Sequence, residues 1–208
     1  QEQELITKDA TIREIHHRVK NNLQTVASLL RIQARRTHSD EARDALTQAM
    51  RRVDSIAVVH DTLAQGLTQK VDFDEVFHRV LKLVAEVASA PNTRAQTQLT
   101  GRFGVLPSEY ATPLALALTE VVTNAVEHGL AGQEGVIAID AARTEESLRV
   151  TVKDTGHGLP EGRIGQGLGT QIIRTLIQGE LGGTIEWHGS EGDGTEVIID
   201  IPLRWLTK

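Results

Sequence analysis

Residues 118–129 read LTEVVTNAVEHG, and this stretch, with the DTGHGLP of residues 154–160, decides the fold of most of the chain. Glu120 and Asn124 are four residues apart, so a helix directs both side chains to one spot. A carboxylate and an amide oxygen are hard ligands that suit Mg²⁺, which keeps several waters and shares phosphate oxygens. His128 continues the same face by another turn. The first stretch therefore predicts a helix with a magnesium-binding face.

The DTGHGLP stretch follows a predicted strand. Gly156 and Gly158 allow a tight turn and a close approach of the backbone to a ligand. Asp154 stands at the start of this turn, where its carboxylate can accept a hydrogen bond from a ligand amine. Glycine-rich turns are common, so this stretch indicates a ligand site only in combination with others.

A third stretch, GQGLG at residues 165–169, runs straight into a helix that we expect to begin near Leu168. Glycines before a helix N-terminus offer free backbone N–H groups and a positive dipole end to phosphates. The glycines are Gly165, Gly167 and Gly169. Gly194 and Thr195 then lead from a hairpin turn into the last strand. The four signals in this order predict a nucleotide site, which a GxGxG pattern alone does not.

The composition limits the function classes. Apolar residues make up 39% of the 208 residues and charged residues 24%, so we expect a globular chain of one or two domains. The chain has no cysteine, which excludes disulfides and thiolate metal sites and is typical of a reducing cytoplasm. Its net charge is −6, and neither part has the basic surplus of a protein that binds nucleic acid directly.

The N-terminus QEQELITKD is polar and acidic, which is unlike a signal peptide. No apolar run approaches the ~20 residues that a membrane helix requires. We therefore expect a cytoplasmic protein with no membrane segment in this chain, and upstream domains that are missing from it.

Residues 1–66 predict a helical hairpin. From Leu5 to about Arg36, and again after a polar break, apolar residues recur at helical spacings. Ser39 is the expected N-cap of the second helix and Gly66 its C-terminal stop. A lone hairpin exposes half of its apolar stripe, so we expect a second copy to complete a four-helix bundle as a homodimer.

Residues 67–208 predict an α+β domain. A short strand precedes a helix that starts near Asp74, and a second long helix runs from Pro107 to about His128. Two-residue alternation in VIAID, LRVTVKD and TEVIIDIP is typical of strands. Together with TIEWHG, these strands predict a mostly antiparallel sheet with helices on one face.

Two adjacent histidines stand in the first helix, in the stretch IREIHHRVKNNLQ. If Ile15 and Val26 lie near the centre of the buried face, His16 falls on its border and His17 on a polar stripe that points the other way. An exposed imidazole is largely neutral at pH 7 and nucleophilic, so His17 is the better candidate to accept a group from another domain. His60 falls on the buried stripe of the second helix, where we expect it to be packed and hydrogen-bonded.

These motifs resemble those of a known family. Residues 120–128, 154–158 and 165–169 look like the N, G1 and G2 boxes of the ATP-binding domain shared by gyrase, the heat-shock chaperone, histidine kinases and mismatch-repair ATPases. EIHHRVKNNLQ resembles the phosphoacceptor box of sensor histidine kinases that carry HRxKN. The chain looks most similar to cytosolic actinobacterial sensor kinases whose response regulators have an RNA-binding antitermination output.

The resemblance implies a fold and an activity. The fold is a hairpin for dimerisation and phosphotransfer at residues 1–66, followed by a catalytic α/β-sandwich ATP-binding domain at residues 67–208. The activity is autophosphorylation of His17 by ATP with Mg²⁺, and transfer of the phosphoryl group to an aspartate on the receiver domain of a response regulator. A sensor domain is expected upstream.

The resemblance also implies residue roles. Asn124 matches the Mg²⁺ ligand, and Glu120 the residue that orients metal and water. Asp154 matches the carboxylate that reads the adenine amino group, with Thr195 as its supporting contact. The nucleotide-binding set is Asn124, His128, Asp154, Gly156, Gly158, Gly165, Gly167, Gly169 and Thr195.

The chain departs from the family pattern after the acceptor. Most histidine kinases place an acid there, whereas this chain has Arg18, so Glu14 or a group of the ATP-binding domain stays open as the base. Asn21, four residues after His17, leaves phosphatase activity open. Two other interpretations compete with a histidine kinase: a nucleotide-binding scaffold without kinase activity, and a serine kinase of the anti-sigma type.

Overall fold

The computed structural model describes residues 2–64, 70–88, 95–130, 133–158, 168–189 and 192–204. The chain divides into two compact units, Gln1–Val71 and Asp72–Lys208. We call the first the hairpin unit and the second, after the domain that its motifs resemble, the ATP-binding unit. No helix among the described residues has both the length and the apolar character needed to cross a lipid bilayer.

The hairpin unit consists of two helices, α1 (Glu2–Arg36) and α2 (Asp40–Ala64). Ser39 caps α2, because its side-chain Oγ accepts a hydrogen bond from the backbone N–H of Ala42 at 3.3 Å. The predicted hairpin and its N-cap are thus confirmed. The predicted stop at Gly66 lies outside the described residues.

The rotation of α1 differs from the prediction. Ile15 is 54% exposed and Val26 43% exposed, whereas the border residue His16 is only 9% exposed. Ala27, also near the inner face, is 2% exposed. The apolar stripe of α1 is wider than the surface that α2 covers, so α2 buries one edge and leaves the other edge open.

The ATP-binding unit is an α+β fold around one five-stranded sheet. Strand β1 (Lys70–Asp72) lies at the boundary between the units, and β3 (Val105–Pro107) is equally short. The sheet strands are β2 (Ala95–Gly101), β4 (Gly135–Arg143), β5 (Ser147–Asp154), β6 (Thr184–Gly189) and β7 (Thr195–Pro202). Their order is β2-β4-β5-β7-β6, with β2 parallel to β4 and every other pair antiparallel.

The core lies on one face of this sheet, beneath the helices α3 (Phe73–Ala88), α4 (Ser108–Asn124) and α5 (Leu168–Arg174). Alternate strand residues are buried, among them Ile137, Ile139, Leu148, Val150, Val152, Ile199 and Ile201. The predicted architecture, a helical hairpin followed by a mostly antiparallel sheet with helices on one face, is confirmed.

The only three phenylalanines of the chain form one aromatic cluster in this core. Ring centroids of Phe73 and Phe103 are 4.9 Å apart, and those of Phe77 and Phe103 are 5.2 Å apart. Asp74 holds the cluster in place, because its carboxylate accepts hydrogen bonds from the backbone N–H groups of Phe103 and Gly104 at 2.9 and 2.8 Å. The cluster thereby joins the start of α3 to the chain between β2 and β3.

Candidate functional site

Asp154, at the end of β5, is the buried centre of the candidate nucleotide site. It is 4% exposed. Its Oδ1 accepts hydrogen bonds from the backbone N–H groups of Gly156 at 2.9 Å and Thr195 at 3.3 Å. No described residue donates a hydrogen bond to the second oxygen, Oδ2, which is therefore available to a ligand donor.

Burial dominates the electrostatics of this carboxyl group. Desolvation raises the pKa of Asp154, and the two backbone hydrogen bonds, from Gly156 and then Thr195, partly offset that rise. A poorly hydrated carboxylate gains more than an exposed one from a hydrogen bond that a ligand amine donates, because water competes less for it.

Glycines let three backbone segments approach Asp154 closely. A Cβ on Gly156 would lie 1.8 Å from the carbonyl oxygen of Gly129, and one on Gly129 would lie 2.7 Å from Asp154 Oδ2. Gly194 has a φ of +78°, and a Cβ there would lie 2.1 Å from the carbonyl oxygen of Asp154. No side chain larger than hydrogen fits at Gly156 or Gly194 without a backbone shift, and a side chain at Gly129 would displace the carboxyl group of Asp154.

The helix α4 does not continue as an α-helix to His128. Residues Ala125–Gly129 form a π-helical turn, in which the backbone N–H of Leu130 donates to the carbonyl of Ala125 at 2.8 Å. The turn aims the carbonyl of Gly129 at the backbone N–H of His157, 2.8 Å away. Such turns occur often at functional sites, and this one fastens the end of α4 to the loop after Asp154.

The predicted magnesium face lies on the last turns of the same helix. Glu120 is 3% exposed, Asn124 is half-buried and His128 is exposed. The prediction that His128 continues the face assumed α-helical spacing, and the π-helical turn after Asn124 alters that spacing. The carboxylate and amide oxygens of Glu120 and Asn124 fit Mg²⁺ by donor chemistry.

The structure describes the glycine loop only in part. Gly165 and Gly167 lie outside the described residues, whereas Gly169 is buried in the first turn of α5, which begins at Leu168 as predicted. Gly158, at the end of the described loop, has a φ of +78°, which favours glycine.

His17, the predicted phosphoacceptor, is exposed on α1. The neighbouring Arg18 forms an ion pair with Glu14, with Nε and Oε1 3.3 Å apart and both side chains largely exposed. Lys20 instead turns to α2, where its Nζ lies 3.0 Å from Asp61 Oδ1. Asn21 is exposed. Arg18 and Lys20 thus already have acidic partners within the hairpin unit.

The structure brings one group of predicted site residues together. Asp154, Gly156 and the backbone of Thr195 are in direct contact, and Gly129 links them to the helix that carries Asn124. His17 belongs to the other unit. Sequence reasoning missed the contact role of Gly129, although its place directly after the helix motif was a usable signal.

Thr155 was also missed. Its side-chain Oγ1 accepts a hydrogen bond from the backbone N–H of Val136 at 3.0 Å, and its own backbone N–H donates to the carbonyl of Val136 at 3.2 Å. These contacts fix the start of the loop to β4. A threonine in a polar loop gives no signal of this kind in sequence.

Two stretches of the chain match families of known proteins. Residues 14–88 match the family described as "Histidine kinase", and residues 109–204 match "Histidine kinase-, DNA gyrase B-, and HSP90-like ATPase". The chain carries both domains of a histidine kinase core. The histidine kinase core expected from the motifs is therefore confirmed.

Individual relatives agree with this assignment. The chain is 47% identical to the sensor histidine kinase PdtaS of Mycolicibacterium smegmatis, covering 96% of this chain and 41% of that protein. It is 48% identical to PdtaS of Mycobacterium tuberculosis H37Rv, covering 96% and 40%. The chain thus spans about two fifths of the length of these curated relatives.

The histidine kinase domain of the Erythrobacter litoralis EL346 blue-light activated histidine kinase has a similar structure. The TM-score is 0.65 at 29% sequence identity, and the match covers 99% of this chain and 98% of that chain. The likeness therefore extends over both units and not over the ATP-binding unit alone.

Proposed function

We propose that the chain is the kinase core of a two-component sensor, which binds Mg-ATP, phosphorylates His17 and passes the phosphoryl group to an aspartate of a response regulator. The observation that carries the proposal is the exposure of His17 on α1, within the stretch that matches the histidine kinase family. An acceptor that receives a group from a separate domain must be accessible to that domain.

The nucleotide would be held by the cluster around Asp154. In this proposal the free Oδ2 of Asp154 accepts a hydrogen bond from the adenine amino group, while Gly156 and Thr195 hold the carboxylate in place. Gly158, Gly165, Gly167 and Gly169 would lie along the phosphates, where backbone N–H groups and the N-terminus of α5 favour negative charge. His128 would lie at the same site.

Asn124 would coordinate the magnesium ion, and Glu120 would orient its water ligands. The bound ion would neutralise charge on the transferring phosphoryl group. A nitrogen of the neutral imidazole of His17 forms the new bond to the γ-phosphorus, and the bond from that phosphorus to the bridging oxygen of ADP breaks. The imidazole N–H proton leaves to a base, for which Glu14 is one candidate.

The hairpin unit would also form the dimer. Ile15, Val26, Leu29 and Ile32 are 43–58% exposed along α1, an apolar surface that a second copy of the hairpin would cover in a four-helix bundle. Residues 1–66 would then serve dimerisation and phosphotransfer, and residues 67–208 would supply ATP binding.

The partners would lie in the cytoplasm. The phosphoryl group would go to a receiver domain, and among receivers we favour one with an antitermination output, as the resemblance implies. A sensor domain upstream of this chain would control access to His17 through helix packing. The chain itself would bind no nucleic acid.

The test is incubation with γ-labelled ATP and Mg²⁺, followed by acid and alkali treatment of the labelled protein. We expect acid-labile, alkali-stable label that His17→Gln abolishes and that His16→Gln still acquires, at a reduced rate. A purified receiver domain should then remove the label from the kinase and acquire it.

The other outcomes separate the competing interpretations. Acid-stable label would indicate a serine kinase, and ATP binding without label would indicate a scaffold. Label lost only in His16→Gln would show that the wrong imidazole was chosen.

A further inference from the structure

A second pair of histidines lies beside His17, and the proposed reaction does not use it. Nδ1 of His16 on α1 and Nδ1 of His60 on α2 are 2.9 Å apart, with ring centroids 5.2 Å apart and planes tilted by 43°. His16 is 9% exposed and His60 is half-buried. The expectation that His60 is packed and hydrogen-bonded is met, and its partner is the neighbour of the phosphoacceptor.

A second polar contact lies next to this pair. Lys20, one turn after His16, forms its ion pair with Asp61, which directly follows His60. Farther along α1, the buried residue among the described side chains is Ala27. A purely apolar contact between two helices tolerates rotation of one helix against the other, whereas directional polar contacts favour one rotational orientation. These two polar contacts occur at the level of His17.

We propose that His60 is a positioning residue for the phosphorylation of His17, acting through its hydrogen bond to His16. The inference rests on the proposed function. His16 and His17 are consecutive on α1, so any rotation of α1 that breaks the contact with His60 turns His17 by the same angle. A step of one residue corresponds to about 100° around the helix, so even a partial rotation redirects the acceptor.

The hydrogen bond makes this positioning sensitive to pH. A bond between two Nδ1 atoms needs one N–H donor and one bare nitrogen, so at least one imidazole must be neutral. Burial, and secondarily the charge of His17, lowers the pKa of His16; burial, and secondarily the charge of His16, lowers the pKa of His60. The charged groups that face the pair are His17 and Lys20 from α1 and Asp61 from α2.

The sign of the pH effect follows from these lowered pKa values. A histidine whose pKa is lowered by folding stabilises the fold fully above about pH 6.5, and this stabilisation is lost as the pH falls through the lowered value. Protonation of both rings would remove the acceptor nitrogen and place two cations in contact. Phosphorylation should therefore decline at acid pH as the hydrogen bond between His16 and His60 is lost.

The test compares three variants of the 208-residue chain with the unsubstituted protein. His60→Leu removes the hydrogen bond, and His60→Asn places an amide near the position of the imidazole Nδ1 without a titrating group. His38→Leu, at an exposed histidine between the two helices, is the matched control. Initial labelling rates, the KM for ATP and melting temperatures are measured between pH 5.5 and 8.

We expect His60→Leu to lower kcat for labelling roughly tenfold, the scale of a misplaced reacting group, with the KM for ATP unchanged. His60→Asn should keep most of the rate at pH 8, and its rate and melting temperature should fall less at pH 5.5 than those of the unsubstituted protein. His38→Leu should match the unsubstituted protein throughout.

Two results would overturn the inference. One is a His60→Leu variant with the rate and pH profile of the unsubstituted protein. The other is a His60→Asn variant that behaves like His60→Leu at every pH, which would leave only a packing role. If the unsubstituted chain carries no acid-labile label, or keeps it in His17→Gln, the proposed function fails and the positioning role fails with it.

Discussion

The hairpin unit and the ATP-binding unit hold their key side chains in opposite settings. His17 is exposed on α1, and the described side chains buried on that helix are those of His16 and Ala27. Asp154 is 4% exposed, in a unit whose helix α4 alone buries ten side chains. One unit holds its candidate site residue at the surface, and the other encloses its candidate site residue in the core.

Under the proposed function, the difference follows from what each group would have to do. A nucleophile that another domain must reach requires an open helix face, so its helix is thinly packed. A carboxylate that selects a ligand amine by a hydrogen bond requires the exclusion of water, so it is built into a core. Substitutions in the ATP-binding unit should therefore mainly change folding stability, and substitutions on the hairpin unit should mainly change assembly.

The largest effect should come from the aromatic cluster. Phe103→Ala removes a fully buried ring, and we expect the free energy of unfolding of the ATP-binding unit to fall by about 3–5 kcal/mol. Both tryptophans lie in residues 67–208, so urea unfolding followed by tryptophan fluorescence reports on this unit. His78→Ala, exposed on α3, is the control. If Phe103→Ala lowers the free energy of unfolding no more than His78→Ala does, the expectation that substitutions in this unit mainly change folding stability is wrong.

On the hairpin unit, Leu29→Glu should weaken self-association. Leu29 is 58% exposed, so the fold of one chain loses little, whereas a dimer that buries it loses about 1.5–3 kcal/mol. That loss corresponds to a roughly tenfold to hundredfold weaker dimer, measurable by sedimentation over a concentration series. Gln24→Glu adds the same charge at an exposed polar position of α1 and should leave association unchanged. If the two variants associate with equal strength, Leu29 does not lie in the dimer interface.

A smaller loss of stability is expected at Gly156. Gly156→Ala forces a Cβ against the carbonyl oxygen of Gly129, and overpacking of this kind costs about 1–3 kcal/mol. Nucleotide binding should weaken as well, because the loop beside Asp154 must shift. A Cβ on Gly179 meets no atom within 4 Å, so Gly179→Ala should keep both properties. Calorimetric titration with an ATP analogue and urea unfolding measure the two effects.

The smallest effect on stability should come from Asp154→Asn, and its sign should be opposite. The amide oxygen of the asparagine can accept both backbone hydrogen bonds, and the substitution removes a buried negative charge. Because folding raises the pKa of Asp154, the wild-type carboxyl group stabilises the fold only below about pH 4 and loses this as the pH rises through the raised value. The variant should therefore gain stability relative to the wild type between pH 5 and 8, within ~1 kcal/mol, while it loses ATP affinity.

Urea unfolding of this variant at several pH values, next to calorimetric titration with nucleotide, checks both halves of the prediction. Lower stability of the variant across the whole pH range would mean that the ionised carboxylate contributes to the fold. Unchanged ATP affinity would remove Asp154 from the proposed site.

The elements of both units were predictable because their sequence periods are strong. Strands such as β5 alternate strictly, and Ser39 ahead of an acidic first turn marks the start of α2. The rotation of α1 was not predictable in the same way. The apolar periodicity marks the whole stripe of α1 and does not distinguish the edge that α2 buries from the edge that remains exposed. Ile15 was therefore predicted to be buried, and His16 was predicted to be more exposed than it is.

Within the candidate site, Asp154 and its glycines were found because a carboxylate beside closely spaced glycines is a chemical pattern. The π-helical turn at Ala125–Gly129 was missed, since its contact between Gly129 and the backbone N–H of His157 joins segments that are distant in sequence, which local periodicity does not record. For the same reason the partner of His60 could be assigned only from the structure: two residues 44 positions apart leave no mark on each other's sequence surroundings.

The main-chain anchoring of Asp154 has a consequence for inhibitor resistance. The donors that orient its carboxylate are the N–H groups of Gly156 and Thr195, and among single substitutions only proline deletes a backbone N–H. A drug that imitates the nucleotide base and donates to Oδ2 would thus meet a target whose orientation point mutations rarely alter. Escape would have to come from Asp154 itself or from the packing around it, where, under the proposed function, nucleotide affinity would be lost together with drug affinity.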